Sequence, residues 1–442
     1  MNIKLSEHFT YSKLLRFAAP TILMMLFTSI YSVVDGAFVS NFVSASAFAA
    51  TSVMMPIIML LGCVGFMFGT GGSALVGKLL GEKQKNYANQ IFSLIVYALL
   101  IFGILLTGIG VLSVEKILDL YNIQGALKEN CQRYGIIVML ATPFLIMEFF
   151  FHSLMVTAER PKLGLLFTAV AGISNILLDA LFIIIFDWGI EGAAWATFIS
   201  TFIGGFSPFL FFILPNSTKL HLGKTKLYLK DLLKAISNGM SEFISHISMS
   251  VVVLLYNYQL IKYAGENGVV AFGVIACTNF VFLSFFVGYA VGTAPIISYN
   301  YGANNTKELQ NLFKKNIKIL LIGTFTMTLL AELFSKPIIH SFISNNIALE
   351  QMAYNGFMIY VVSYIGAGFN IYASAFFTAL NNGVVSATIS FMRTLVFDCV
   401  CILILPIFLG LFGIWSAKIV AEILTLIVSC FFVYTLKKKY DY

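Results

Sequence analysis

The 442-residue chain is 59% hydrophobic and only 11% charged, less than half the charged share of an ordinary soluble domain, about 25%. That composition excludes a water-soluble globular fold. The net charge of +7 sits in short breaks between apolar runs rather than on one face, which excludes a nucleic-acid partner. The six cysteines show neither a CxxC pair nor a histidine-paired spacing, so neither disulfides nor a cysteine-bound metal is expected.

In chain order the apolar runs fall near residues 14–42, 52–80, 88–114, 134–157, 163–186 and 190–214, then 232–262, 270–300, 311–335, 352–380, 384–410 and 411–436. Each is long enough for a bilayer-crossing helix, which needs about 20 residues. The first run is too long for a cleavable signal and has no small-residue cleavage site, so it reads as the first of twelve transmembrane helices. Between the sixth and seventh runs, Pro215 to Lys234 is hydrophilic and carries five lysines. This stretch divides the chain into an N-terminal lobe (1–214), a linker (215–231) and a C-terminal lobe (232–442). Lys83, Lys85, Arg160, Lys162, Lys224, Lys226 and Lys437 to Lys439 all lie on the side of the N-terminus. By the positive-inside rule both termini are cytoplasmic, in the cell membrane of a bacterium or archaeon.

The two lobes repeat. Gly65-Phe-Met-Phe-Gly69-Thr70 matches Gly288-Tyr-Ala-Val-Gly292-Thr293, and Gly192-Ala-Ala-Trp195-Ala196 matches Gly413-Ile-Trp415-Ser-Ala417. Six spans return the chain to its starting side, so the halves share one orientation and are related by an axis along the membrane normal. Gly69-Thr-Gly71-Gly72 lacks the Lys-Ser/Thr of a phosphate loop. Close helix packing explains these glycines better, and an ion gradient must then supply any energy.

Ionisable groups within spans cost roughly 2.5–3.5 kcal/mol each on insertion scales, so they require a partner, a proton or water. They are Asp35, Glu148, His152, Asp179, Glu242, His246, Asp398 and Glu422. Asn175 and Asp179 are four apart, on one helical face, and Ala193 and Thr197 have the same spacing. Asp35 in the first span, a carbonyl at Ala193 and the Thr197 hydroxyl complete an oxygen-rich pocket. Such a pocket suits sodium, and a close carboxyl pair would equally hold a proton. Glu148 with His152, and Glu242 with His246, are candidate cleft pairs or internal packing contacts. For Asp398 and Glu422 packing is the stronger reading. Aromatic and Met side chains accept varied organic cations, and Tyr31, Phe151, Tyr256 and Asn257 stand nearest the expected cleft depth.

Two stretches of the first lobe, Ala158-Glu-Arg-Pro-Lys-Leu-Gly164 running into Ala171-Gly-Ile-Ser-Asn175-Ile-Leu-Leu-Asp179, and Gly192-Ala-Ala-Trp-Ala-Thr197, carry a resemblance, as does Thr293-Ala-Pro295-Ile-Ile-Ser-Tyr-Asn300-Tyr-Gly302-Ala303 in the second. In these motifs the chain resembles the multidrug and toxic compound extrusion (MATE) family, most of all its bacterial drug-exporter branch. The resemblance implies an all-α membrane protein of two six-helix lobes that alternate access as a monomer among lipids. It implies no enzyme activity and no cofactor. Export of amphipathic, cationic small molecules would be exchanged for protons or sodium bound at Asp35, Asn175, Asp179, Ala193 and Thr197. Glu242 resembles an acid some members carry in the C-terminal lobe, but the acid those members add in the tenth span is missing. Flipping of a lipid-linked intermediate is the alternative. It would call for a basic central cavity, and no intramembrane Lys or Arg cluster is evident in the sequence.

Overall fold

The computed structural model describes residues 3–121, 123–343 and 346–442, with the side chains of Ser32, Val33, Ala37, Ala45 and Ser341 outside that description. Its helices are α1 (Tyr11–Phe42), α2 (Ala45–Gly81), α3 (Lys85–Leu120), α4 (Gly125–Leu140), α5 (Thr142–Thr157), α6 (Pro161–Asp179) and α7 (Gly189–Ile213) in the first half. The second half has α8 (Leu229–Gly302), α9 (Thr306–Phe342), α10 (Ile347–Tyr360), α11 (Tyr364–Ala379), α12 (Gly383–Phe391) and α13 (Asp398–Tyr440).

These helices resolve into twelve spans. Helix α8 has 74 residues, and a straight helix of that length would run about 110 Å, far beyond a hydrocarbon core of about 30 Å. Gly265, at φ 64°, breaks it. Across that break the Tyr256 ring stacks on Phe272 with centroids 4.6 Å apart, so the two limbs return along each other as the seventh and eighth spans. Gly410, at φ 57° and ψ −136°, does the same within α13; with ψ this negative, a positive φ is a backbone that glycine adopts without Cβ strain. A Cβ on Gly413 would stand 2.5 Å from the Leu405 carbonyl oxygen. Helices α4 and α5 form one span bent by 56°. The fifth span continues α6 through a π-helical turn at Ala180–Ile185, and the eleventh joins α12 to α13 through another at Met392–Phe397. The all-helical, twelve-span, two-lobed fold expected from the sequence is the one adopted.

The repeat extends to the turns. Lys83 and Asn304, then Glu159 and Asn381, all adopt left-handed backbone at helix ends on the side of the chain termini. Gly71, read as a packing position, is one, and Gly239 and Gly302 join it. A side chain at Gly71 would collide with the Ala235 carbonyl, one at Gly239 with the Met67 carbonyl, and one at Gly302 with the Lys78 carbonyl. These contacts seal the two halves together at the termini side. Gly239→Val is therefore expected to pry the halves apart there and to cut transport at least about tenfold, with the protein still in the membrane. Crosslinking between cysteines placed at Ala74 and Asn381, whose amide donates to the Ala74 carbonyl at 3.1 Å, would fall in parallel.

The segment before α1 ties the same seal. The Leu5 N–H donates to Glu159 Oε1 at 3.0 Å and the Phe9 N–H to Glu308 Oε1 at 3.0 Å, one contact to each half. Residues 219–225 of the linker lie along the start of α3, where Asn89 and Ser93 accept from the N–H groups of His221 and Gly223 at 2.8 and 3.0 Å.

Candidate cation site and cleft

Helices α1, α6 and α7 bring four of the five expected oxygen-bearing residues to one place, with Ala193 fully buried one helical turn before Thr197. The carboxyls of Asp35 and Asp179 lie within interaction distance of one another. Asp179 is fully buried and Asn175 nearly so. Twelve buried side-chain atoms among the described residues lack a hydrogen-bond partner, and five of them are Asp35 Oδ1, Asn175 Oδ1, Asp179 Oδ1 and Oδ2, and Thr197 Oγ1. Buried polar atoms are otherwise almost always paired. Converging buried oxygens, two carboxyls among them and no basic side chain, are a donor set for a proton or a hard monovalent cation. Asp179 is the last residue of α6 before the π-helical turn, a distortion that recurs at functional sites.

Sequence reasoning missed Tyr134 of α4. Its phenol lies beside Thr197 and within the field of both Asp35 and Asp179. A lone tyrosine at the polar end of an apolar run carries no signal of its own.

The expected cleft residues separate into three groups. His246 of α8 stands where the halves face each other, stacking on Phe66 of α2 at 4.6 Å, and Phe66 stacks in turn on Phe149 at 4.1 Å; Glu242 lies one turn before His246 on the same helix, while Tyr31 packs beside Phe27 and Gly172 of the first half. Asn257 is half-buried farther along the same span. Glu148 and His152 lie inside the first half and do not pair with each other. Glu148 packs against Gly204, while His152 Nε2 is 3.3 Å from Thr168 Oγ1. The remaining two are not cleft residues. Phe151 stacks on Phe212 at 5.5 Å in the core of the first half, and Tyr256 is sealed inside the second. Helix periodicity gives depth, but it does not tell which of two buried faces meets the cleft.

A model of the family described as MatE matches the chain twice, over residues 20–181 and 243–404. The chain belongs to the MatE family. The two matches cover most of the chain and stand 223 residues apart, the interval between Gly65 and Gly288. Among curated relatives it is similar to the multidrug export protein MepA of Staphylococcus saprophyticus, 23% identical over 97% of this chain and 94% of that one. MepA of Staphylococcus aureus strain MRSA252 is 22% identical over the same shares. Among solved structures, an outward-facing multidrug resistance MATE family transporter of the MOP superfamily superposes with a TM-score of 0.92, at 21% identity and 98% coverage of both chains. MatE membership makes this chain a multi-pass membrane transporter and not an enzyme.

The second MatE half corrects one expectation. Two basic side chains do lie within the membrane part of the fold. Arg393 Nε donates to Glu422 Oε1 and Oε2 at 2.9 and 3.1 Å, and Lys418 Nζ donates to Asp398 Oδ2 at 2.6 Å. Asn370 adds an amide bond to Glu422 Oε2 at 2.8 Å. Arg393 and Lys418 lie within the eleventh and twelfth runs, where Glu422 and Asp398 neutralise them, which also accounts for both acids as packing partners.

Proposed function

We propose that this chain is a secondary active exporter of amphipathic, cationic organic compounds, driven by protons or sodium bound between Asp35, Asn175, Asp179, Ala193 and Thr197. The observation that carries the reading is the convergence of five unpartnered buried oxygens in the first half. The names of the curated relatives support multidrug export, and MatE membership supports transport. In this reading both termini face the cytoplasm, residues 1–214 and 232–442 move as lobes about the linker 215–231, and the sealed termini side makes the conformation outward-facing. Binding of the cation to the first lobe changes its packing and releases the substrate. The molecule acts as a monomer with no cofactor. The lipid-flippase reading gains nothing from Arg393 and Lys418, because both are held in ion pairs.

The test is dye accumulation by everted vesicles under a sodium gradient alone and a proton gradient alone. One gradient is expected to drive uptake and its collapse to abolish it. Transport indifferent to both would overturn the reading.

Glu242 is the acid that would meet substrate. It stands one turn from His246 at the meeting of the halves, and Arg393 is the charged group whose field reaches it. Glu242→Gln is expected to reduce efflux of permanently cationic dyes about three- to tenfold, in line with one partly hydrated charge contact. Neutral and zwitterionic substrates would change less. Equal losses for all dyes would assign Glu242 to coupling or packing instead.

A further inference from the structure

The two MatE matches are of equal length, so their ends can be set against one another. Asn175 and Asp398 each stand six residues before the end of a match, and Asp179 and Ile402 each stand two before it. Beyond the matches, Thr197 follows Gly192 by five residues, as Lys418 follows Gly413 in the repeated motif. Asp35 falls opposite Tyr258, which is exposed. Where the first half gathers two carboxyls, an amide and a hydroxyl, the second therefore has one carboxyl, Asp398, and an ammonium, Lys418, 2.6 Å from it.

This counterpart is a built site. Lys418 and Asp398 are 12% and 4% exposed at their side chains, and Lys418 Nζ also reaches Glu422 Oε1 at 3.5 Å. Asp398 Oδ1 and the Tyr256 hydroxyl are buried without partners. Arg393 satisfies the second carboxylate, Glu422. Two carboxylates thus face the lysine ammonium, Asp398 at 2.6 Å and Glu422 at 3.5 Å, as two carboxyls face each other in the first half. An ammonium is a monovalent cation with three donors, comparable in charge to the ion such a pocket would otherwise take.

We propose that the second half carries a degenerate copy of the cation site, in which the Lys418 ammonium is a tethered, permanent occupant. This half then binds no transported cation, and the molecule has a single coupling site. The inference rests on the first-half site proposed above. Its corollary is that removing the tethered cation recreates a binding site: Lys418→Thr restores the residue found at Thr197 and leaves Asp398 without its counter-charge.

The test is equilibrium binding of radioactive sodium to the purified full-length protein at pH 8, with choline replacing sodium at constant ionic strength, and with thermal unfolding in parallel. The parent for the comparison carries Asp35→Asn and Asp179→Asn, which silence the first-half site. This parent is expected to bind no sodium saturably. Adding Lys418→Thr is expected to create one saturable site per molecule and a sodium-dependent rise in Tm on the order of a few degrees, whereas Lys418→Arg creates none. Failure of Lys418→Thr to bind sodium would overturn the proposal. So would saturable binding by the parent that Asp398→Asn abolishes, a result that needs no Lys418 variant to fold. Saturable binding by the parent that Asp398→Asn leaves untouched would instead remove the first-half assignment on which the comparison rests.

Discussion

Asp35→Asn and Asp179→Asn are each expected to abolish gradient-driven dye efflux while leaving the protein in the membrane. The two carboxyls interact with one another, and Asp179 is fully buried. A unit charge 4 Å from a monovalent cation is worth about 4 kcal/mol at an effective dielectric constant of about 20, which is several hundredfold or more in affinity. An amide keeps the shape and an oxygen but loses that charge, so the cation no longer binds at working concentrations and the cycle loses its driving step. Thr197→Ala removes one neutral ligand, worth about 1 kcal/mol, and is expected to cost only about fivefold. Efflux from whole cells, normalised to membrane protein by immunoblot, checks both. Undiminished efflux in the two Asp variants would remove the first-half site. A threonine variant as damaged as the aspartate ones would point to packing rather than ligation.

The spans were legible in the sequence because a bilayer imposes one length and one polarity on each of them, and lysine-rich breaks mark the termini side. The reversal at Gly265 was legible too, since it lies between apolar runs, whereas Gly410 ends its run; both helices are continuous apart from that one residue. Asn175 and Asp179 were readable as a pair because helical spacing alone puts them on one face. What helical spacing could not supply was the neighbour from another helix. Tyr134 joins Thr197 only because α4 packs beside α7, and Phe151 turns from the cleft because Phe212 lies on its other side. The ion partners of Arg393 and Lys418 stayed hidden for the same reason. The four-residue spacing of Lys418 and Glu422 was the available signal, since such pairs meet on a helix, and it would have placed a base inside the twelfth span.

Arg393→Met is expected to be among the most destabilising substitutions in the second half, by about 3–5 kcal/mol as for other broken buried ion pairs. The reason lies with the partner. Glu422 is 1% exposed at its side chain, and Lys418 is already engaged at 2.6 Å with Asp398, standing 3.5 Å from Glu422. Without the guanidinium, Glu422 keeps the Asn370 amide but loses the two Nε contacts and the Nη2 contact at 2.9 Å. The double variant Arg393→Met/Glu422→Gln removes both charges together. It leaves Lys418 and Asp398 as a neutral pair and a glutamine able to accept from Asn370. It is therefore expected to recover most of the loss, since replacing a buried pair by neutral groups of similar volume is often tolerated. Unfolding of the detergent-solubilised protein, followed for the two single variants and the double, gives the coupling directly. Additive losses would mean that Arg393 and Glu422 contribute through packing alone. A double variant more stable than Arg393→Met identifies the charge pair as the element that holds the tenth, eleventh and twelfth spans together around Asn370, Arg393 and Glu422.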